Sequence, residues 1–265
     1  MTSNSAEVGF VHLHVHTSFS LREGALTIAK LAKLALADRM PALAITDTNN
    51  LFGALEFSEK IAKEGIQPII GMKLTVDFAD RAAPAGRPGT GAQRASLVLL
   101  AQDQDGYTNL MRLASRAYLD PEAGDGPHVS LDRLSAGARG LIALTGGPSG
   151  PLDCALLAGL PELAAQRLER LMALFSNRLY VEVQRHGLNE ERRVEGGLLD
   201  LAFAHSLPLV ATNEPYFATA ADYEAHDALL CIAEGTLVSV TDRRQLSPDH
   251  RFRTRAEMLT LFADL

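Results

Sequence analysis

His12, His14 and His16 alternate with Val11, Leu13 and Val15 inside the stretch G-F-V-H-L-H-V-H-T-S-F-S-L-R-E-G, residues 9–24. Neutral imidazole is the commonest protein ligand for zinc and its neighbours, and side chains two apart on an extended strand reach a common ion. The spacing predicts a strand that carries all three imidazoles on one side, as half of a metal site. A solitary H-x-H is more often a strand whose histidines meet water or hydrogen-bond partners. Other segments must therefore supply the remaining ligands. Polar residues gather where apolar runs end: Asp47 after 42–46, Glu182 and His186 around the end of 179–184, and Asn213 with Glu214 after 207–212. Imidazole and carboxylate supplied from four segments point to a shared site.

Positioning such a set is the task of the elements between them. Strand-like apolar runs at 42–46, 68–78, 96–101, 140–145, 179–184 and 207–212 follow the histidine segment. Helical periodicity fills most of the gaps: 27–39 capped by Thr27, 51–64 closed by Gly65, 105–118 capped by Asp105, 161–175, 189–205 and 222–234. Thr254 and Glu257 form a capping box for the last helix. Strand and helix alternate about seven times, which predicts parallel βαβ units and an α/β fold. Chemistry gathered at strand ends favours a barrel over an open sheet, because a barrel builds its site from the loops at its C-terminal mouth. The Gly/Pro/Ala-rich segment 79–94 lacks periodicity and reads as an exposed loop. The glycine cluster at 146–151, G-G-P-S-G-P, lacks the lysine and the spacing of a phosphate loop and reads as a strand-to-helix turn.

At 265 residues, the length suits one α/β barrel, and 47% hydrophobic with 22% charged residues is ordinary for a globular protein. No apolar run reaches the roughly 18 residues of a spanning helix, and the polar N-terminus lacks a signal peptide's apolar core, so the expected location is the cytoplasm. Cys154 and Cys231 are far apart, which suggests neither a disulfide framework nor a thiolate zinc site. A net charge of -7 disfavours direct binding to a phosphate backbone.

The motifs H-L-H-V-H-T-S-F-S-L-x-x-G-A, A-L-A-I-T-D-x-x-N-L-F-G-A-L-E-F, Q-P-I-I-G, L-Y-V-E-V-Q-R-H-G and L-V-A-T-N occur in this order across nearly the whole chain. Together they resemble the PHP domain that opens the alpha subunit of bacterial replicative polymerases of family C. The resemblance implies a distorted seven-stranded β/α, TIM-like barrel of the PHP type. It also implies that residues 1–265 are a single domain of a longer protein, with the polymerase palm, thumb and fingers downstream. Intact members hold up to three metals at the barrel mouth.

Mapped by this resemblance, His14, His16, Glu23, Asp47, Glu182, His186 and Glu214 fall on metal-ligand positions, Glu23 and Glu214 each standing for an aspartate. Four ligands are replaced: Thr48, Ser96 and Tyr216 stand where the family has histidine, and Lys73 where it has glutamate. An ammonium beside divalent cations is repelled in a low-dielectric pocket, yet it neutralises leftover carboxylates in their place. The implied site is degraded, with no catalytic residue and either no cofactor or a weakly bound divalent metal (Zn, Mn or Mg). The implied role is structural and docking, with the rest of the polymerase III alpha chain and the proofreading exonuclease subunit as partners, and with DNA met only through the full-length polymerase. The alternative is a metal-dependent phosphoesterase or 3'–5' exonuclease acting at the mouth, in which metals stabilise attacking and leaving oxygens.

Overall fold

Helices form where the apolar periodicity and the caps agree. The Thr27 hydroxyl accepts from the Lys30 N–H, and Thr254 and Glu257 cap reciprocally, so the helices they open start where the sequence places them. The third long helix instead starts two residues early, because the Asp103 carboxylate accepts from the Gly106 N–H and leaves Asp105 inside the first turn. The computed structural model describes residues 9–80, 94–121 and 126–265. The loop expected at 79–94 thus lies almost wholly outside the described residues.

The helices are α1 (Ile28–Ala37), α2 (Ala54–Lys63), α3 (Gln104–Leu119), α4 (Leu131–Gly137), α5 (Pro151–Leu157), α6 (Pro161–Phe175), α7 (Asn189–Ala204), α8 (Tyr223–Glu234) and α9 (Arg255–Leu261). The strands are β1 (Ala42–Ile45), β2 (Gln67–Asp77), β3 (Arg94–Ala101), β4 (Val129–Ser130), β5 (Leu141–Leu144), β6 (Leu179–Gln184) and β7 (Leu209–Thr212). They make one mixed sheet in the order β1-β2-β3-β5-β6-β7, with the two-residue β4 beside the end of β2.

Three expectations are corrected. The sheet is not wholly parallel: β3 runs antiparallel to both β2 and β5. The sequence of 79–94 has no helical periodicity that would signal a crossover helix, and an antiparallel pair such as β2 and β3 needs none. Nor does the histidine segment form a regular strand. Its backbone bonds sporadically to both free sheet edges, with Ala44 N–H to His12 O at 2.9 Å, Thr46 N–H to Val15 O at 3.0 Å and His16 N–H to Pro215 O at 3.1 Å. The Thr46 hydroxyl takes the Val15 N–H at 2.7 Å, where a ladder would place a carbonyl. The strand order is therefore open between β1 and β7, and residues 12–16 lie across that gap. Finally, without a regular pleat the three imidazoles do not share surroundings. His12 packs against Phe252 and bonds the Arg253 carbonyl, apart from His14 and His16.

The sheet is curled. Ala44, Val98, Leu100 and Leu144, with Leu13, Ile69, Tyr180 and Val210, form one apolar cluster to which the histidine segment and six of the strands contribute. A larger core lies between the outer face and helices α3 to α7, and a third links Val15 to α1 and α2 through Leu31, Leu43, Phe57 and Ile61. The polar groups described next sit at the end of this curl, with the packed apolar cluster beneath them.

Candidate metal centre

Glu214 is the hub. It follows β7 at a backbone φ of 44°, in a left-handed conformation that costs a non-glycine residue on the order of 1–3 kcal/mol and persists only where its surroundings fix it. What fixes it is a ring of donors on one oxygen. Lys73 Nζ, from β2, donates to Glu214 Oε1 at 2.5 Å and Tyr216 Oη donates at 2.7 Å; His16 Nε2 lies 3.1 Å away and His14 Nε2 3.3 Å. Burial pushes the Glu214 carboxyl upwards, but the Lys73 charge and the two imidazoles outweigh it and hold the group well below the usual carboxylate range.

His14 is sandwiched between two carboxylates. Its Nδ1 lies 2.7 Å from Glu182 Oε1 and its Nε2 faces Glu214. Burial alone would lower it, yet the charges of Glu214 and Glu182 raise it to about 9. Glu182, on β6, is fully buried and saturated: Oε1 accepts from the Thr212 hydroxyl and from Gln184 Nε2 at 3.0 Å, and Oε2 accepts from the Gly146 N–H at 2.8 Å. The Gly146 turn at the end of β5 thus serves the site by aiming an N–H at a carboxylate. His16 places Nδ1 2.8 Å from the Ser20 hydroxyl and stacks on the Tyr216 ring at 4.3 Å with 7° between planes. Burial is the main influence that lowers it.

Among the described residues, His14, His16 and Glu214 form the group that could hold a metal ion, their ligand atoms all lying within 4.8 Å of one another. The other mapped residues face elsewhere. Asp47 accepts from the Thr17 N–H at 2.6 Å, the Thr17 hydroxyl at 2.7 Å and the Ser20 hydroxyl at 2.6 Å, so it organises the turn after His16. Glu23 accepts from the Thr48 hydroxyl at 2.7 Å and pairs with Arg244 at 3.2 Å. His186 sets Nδ1 2.6 Å from Glu191 Oε1, directs Nε2 at the Asn213 carbonyl and stacks on His250 at 3.7 Å. Of the replaced positions, Thr48 bridges Glu23 to the His16 side, Lys73 and Tyr216 bond Glu214, and Ser96 sits on β3 opposite Thr75.

This donor set does not fit a two- or three-metal cluster, because Asp47, Glu23 and His186 are turned onto protein partners. A single ion bound at His14, His16 and Glu214 Oε1 would compete with Lys73 for that oxygen. Reading the sequence missed Ser20, Thr212, Gly146 and His250, which orient the ligands or back them. The second serine of H-T-S-F-S and the glutamine of E-x-Q were the visible traces of this supporting layer, whereas the others depend on contacts between distant segments.

The PHP domain model matches residues 12–186. DNA polymerase III subunit alpha of Caulobacter vibrioides is 44% identical over 264 residues, which is 99% of this chain and 23% of that protein. The subunit of the same name from Thermus aquaticus is 36% identical over 262 residues, 98% of this chain and 21% of that one. The chain thus spans about a fifth of the length of these relatives. A solved structure described as a candidate metal-dependent phosphoesterase from Bifidobacterium adolescentis superposes with a TM-score of 0.46 at 17% identity, covering 77% of this chain and 86% of that one.

Proposed function

The chain belongs to the PHP domain family, and on that premise we propose that it is the N-terminal PHP domain of a bacterial DNA polymerase III alpha subunit. It acts in DNA replication as a structural and docking module, in the cytoplasm, with the polymerising part of the alpha chain following it. Its mouth is a metal centre whose charge is carried by Lys73. The observation that supports this most is the Lys73–Glu214 ion pair at 2.5 Å, with Lys73 6% exposed, on the carboxylate that both histidines approach. Pulling one partner away from a buried ion pair leaves an uncompensated charge. Any divalent ion, whether zinc, manganese or magnesium, competes with that ammonium and binds weakly.

A module without chemistry of its own earns its place by what it holds. The partner we assign is the proofreading exonuclease subunit. Deleting this domain from the full alpha chain, with folding of the remainder controlled, is expected to abolish binding of that subunit at micromolar concentrations. Unchanged binding would overturn the docking role.

A second reading, a metal-dependent phosphoesterase or 3'–5' exonuclease, draws support from the convergence of His14, His16 and Glu214. Manganese- or zinc-stimulated hydrolysis of bis-p-nitrophenyl phosphate by the domain, lost in His14→Ala, would favour it over the first.

A further inference from the structure

The groups that converge on Glu214 are buried, whereas Glu23 and Thr48 at their edge are only half-buried. His14, His16 and Glu182 are fully buried, Tyr216 is nearly so, and Lys73 and Glu214 are only marginally exposed. One irregular stretch that follows α8 contacts this set through Tyr216 and Glu23. Residues 237–250 contain no helix and no strand. The stretch is held by a short series of contacts that all point inward. Arg243 makes a two-pronged ion pair with Asp227 of α8, 2.6 Å on each arm. Arg244 pairs with Glu23 at 3.2 Å and lies 6.0 Å from the centroid of the Tyr216 ring, which stacks on His16. Leu246 O accepts from the Tyr223 hydroxyl at 3.0 Å, the Ser247 hydroxyl donates to His186 O at 2.9 Å, and His250 O accepts from the Tyr216 N–H at 2.9 Å. Its outward side chains Leu237, Val238 and Val240 are exposed.

We propose that residues 237–250 are a closing strap: latched by Arg243 on Asp227 and by Arg244 on Glu23, the strap holds Tyr216 in its stack with His16 and restricts the entry of ions and solutes to the chamber of His14, His16, Lys73 and Glu214. The two latches differ in kind. Arg243 is bidentate with its side chain only 5% exposed, so salt screens it less. Arg244 is half-exposed and its contact is longer, so it weakens as counter-ions accumulate. The strap therefore opens from the Arg244 side, and its opening frees Tyr216 before any ladder hydrogen bond of the sheet breaks. A domain whose mouth is merely collapsed has no such order of events, because its interior is reached only by unfolding. The proposal stands whether or not the domain docks an exonuclease subunit.

The test is carbethoxylation of His16 by diethyl pyrocarbonate, followed by peptide mass spectrometry, with His128, whose ring nitrogen lies near the Gly126 carbonyl beside β4, as the internal standard. In the intact domain at low salt, His16 is expected to react at least about a hundredfold more slowly than His128. Arg244→Ala should raise the His16 rate about tenfold or more with the thermal midpoint nearly unchanged, and Arg243→Ala should raise it too. Arg243→Asp combined with Asp227→Arg should return it towards the original rate. Raising sodium chloride from 0.05 to 1 M should speed His16 modification several-fold in the parent and hardly at all in Arg244→Ala. The salt series needs no variant and decides the matter even if Arg244→Ala folds poorly. Zinc alone, added to the chelator-treated domain, should enter faster in Arg244→Ala. If His16 modification is indifferent to salt and to Arg244, or follows global urea stability in every variant, there is no strap.

Discussion

His12 and His14 sit two residues apart, both fully buried, and their surroundings move them in opposite directions. His14 rises to about 9 between its two carboxylates, whereas His12 has only the Arg253 carbonyl, and burial lowers it to about 4. The sign of the consequence follows from linkage. The unfolded chain protonates His12 near 6.5 and the folded chain keeps it neutral, so its contribution is fully present above 6.5 and is lost as the pH falls through 4. The drop from 6.5 to about 4 corresponds to roughly 3 kcal/mol. We expect His12→Phe, which keeps a ring beside Phe10 and Phe252, to flatten the fall of urea-unfolding free energy between pH 6.5 and 4, and an unchanged slope would exclude His12 as its source. At this scale the sequence was informative about type and poor about direction. His14, His16 and Glu214 converge, and the replacement of a glutamate by Lys73 was enough to foresee an ammonium among carboxylates. The roles of Asp47 and His186 were hidden, because the donors that claim them, Thr17 and Ser20 for one and the groups around Glu191 and Asn213 for the other, belong to the same polar turns and carry no period.

Among the elements, those with a strong period and an explicit cap were legible, and those defined by a partner were not. Helix α1 follows from Thr27 and four apolar positions, whereas β4 exists only because Val129 and Ser130 lie beside Val76 and Asp77. The direction of β3 could have been read from the lack of helical periodicity at 79–94; the alternation rule, applied to every strand, concealed it. The irregular histidine segment is a subtler failure, since its alternation is real but the Thr46 side chain replaces a ladder bond. The turn after β5 shows how an element carries the site. Gly146 has φ 89°, and a Cβ there would lie 2.0 Å from the Ser96 carbonyl oxygen, so the backbone is both left-handed and in contact with β3. Gly159, at φ 73°, has nothing within 4 Å of such a Cβ. Gly159→Ala is therefore expected to cost about 1 kcal/mol, from backbone conformation alone. Gly146→Ala adds a clash and moves the N–H that serves Glu182, and we expect it to lose about 3 kcal/mol or more in denaturant unfolding. Equal losses in the two variants would mean that the turn yields freely and does not position Glu182.

For the molecule as a whole, the curled sheet of parallel and antiparallel strands leaves one end at which His14, His16, Glu182 and Glu214 meet, and no helix of the described residues is long and apolar enough to cross a membrane. Charge is balanced there without an added ion, by Lys73 and by the raised His14 against two carboxylates. That balance can be reversed in one chain by Thr48→His, Lys73→Glu, Ser96→His and Tyr216→His, with Glu214→Asp added if the longer side chain misplaces its oxygen. Removing Lys73 breaks a buried pair and adds a carboxylate beside Glu214, so in chelator the variant should be less stable than the parent by about 3–5 kcal/mol. Zinc or manganese should restore much of this, since an ion held at a thousand times its dissociation constant stabilises by about 4 kcal/mol, while the parent responds weakly. Thermal unfolding with and without chelator reads both effects. Equal stabilisation of parent and variant by metal would mean that the present residues already suffice, and the phosphoesterase reading would then take first place. The geometry also limits the gain. Asp47 remains bonded to Thr17 and Ser20, and His186 to Glu191, and neither attachment is altered by these substitutions. Binding in the variant is accordingly expected to saturate at about one ion per chain in a zinc titration, and a second ion bound as tightly would show that those two side chains turn towards the mouth once metal is present.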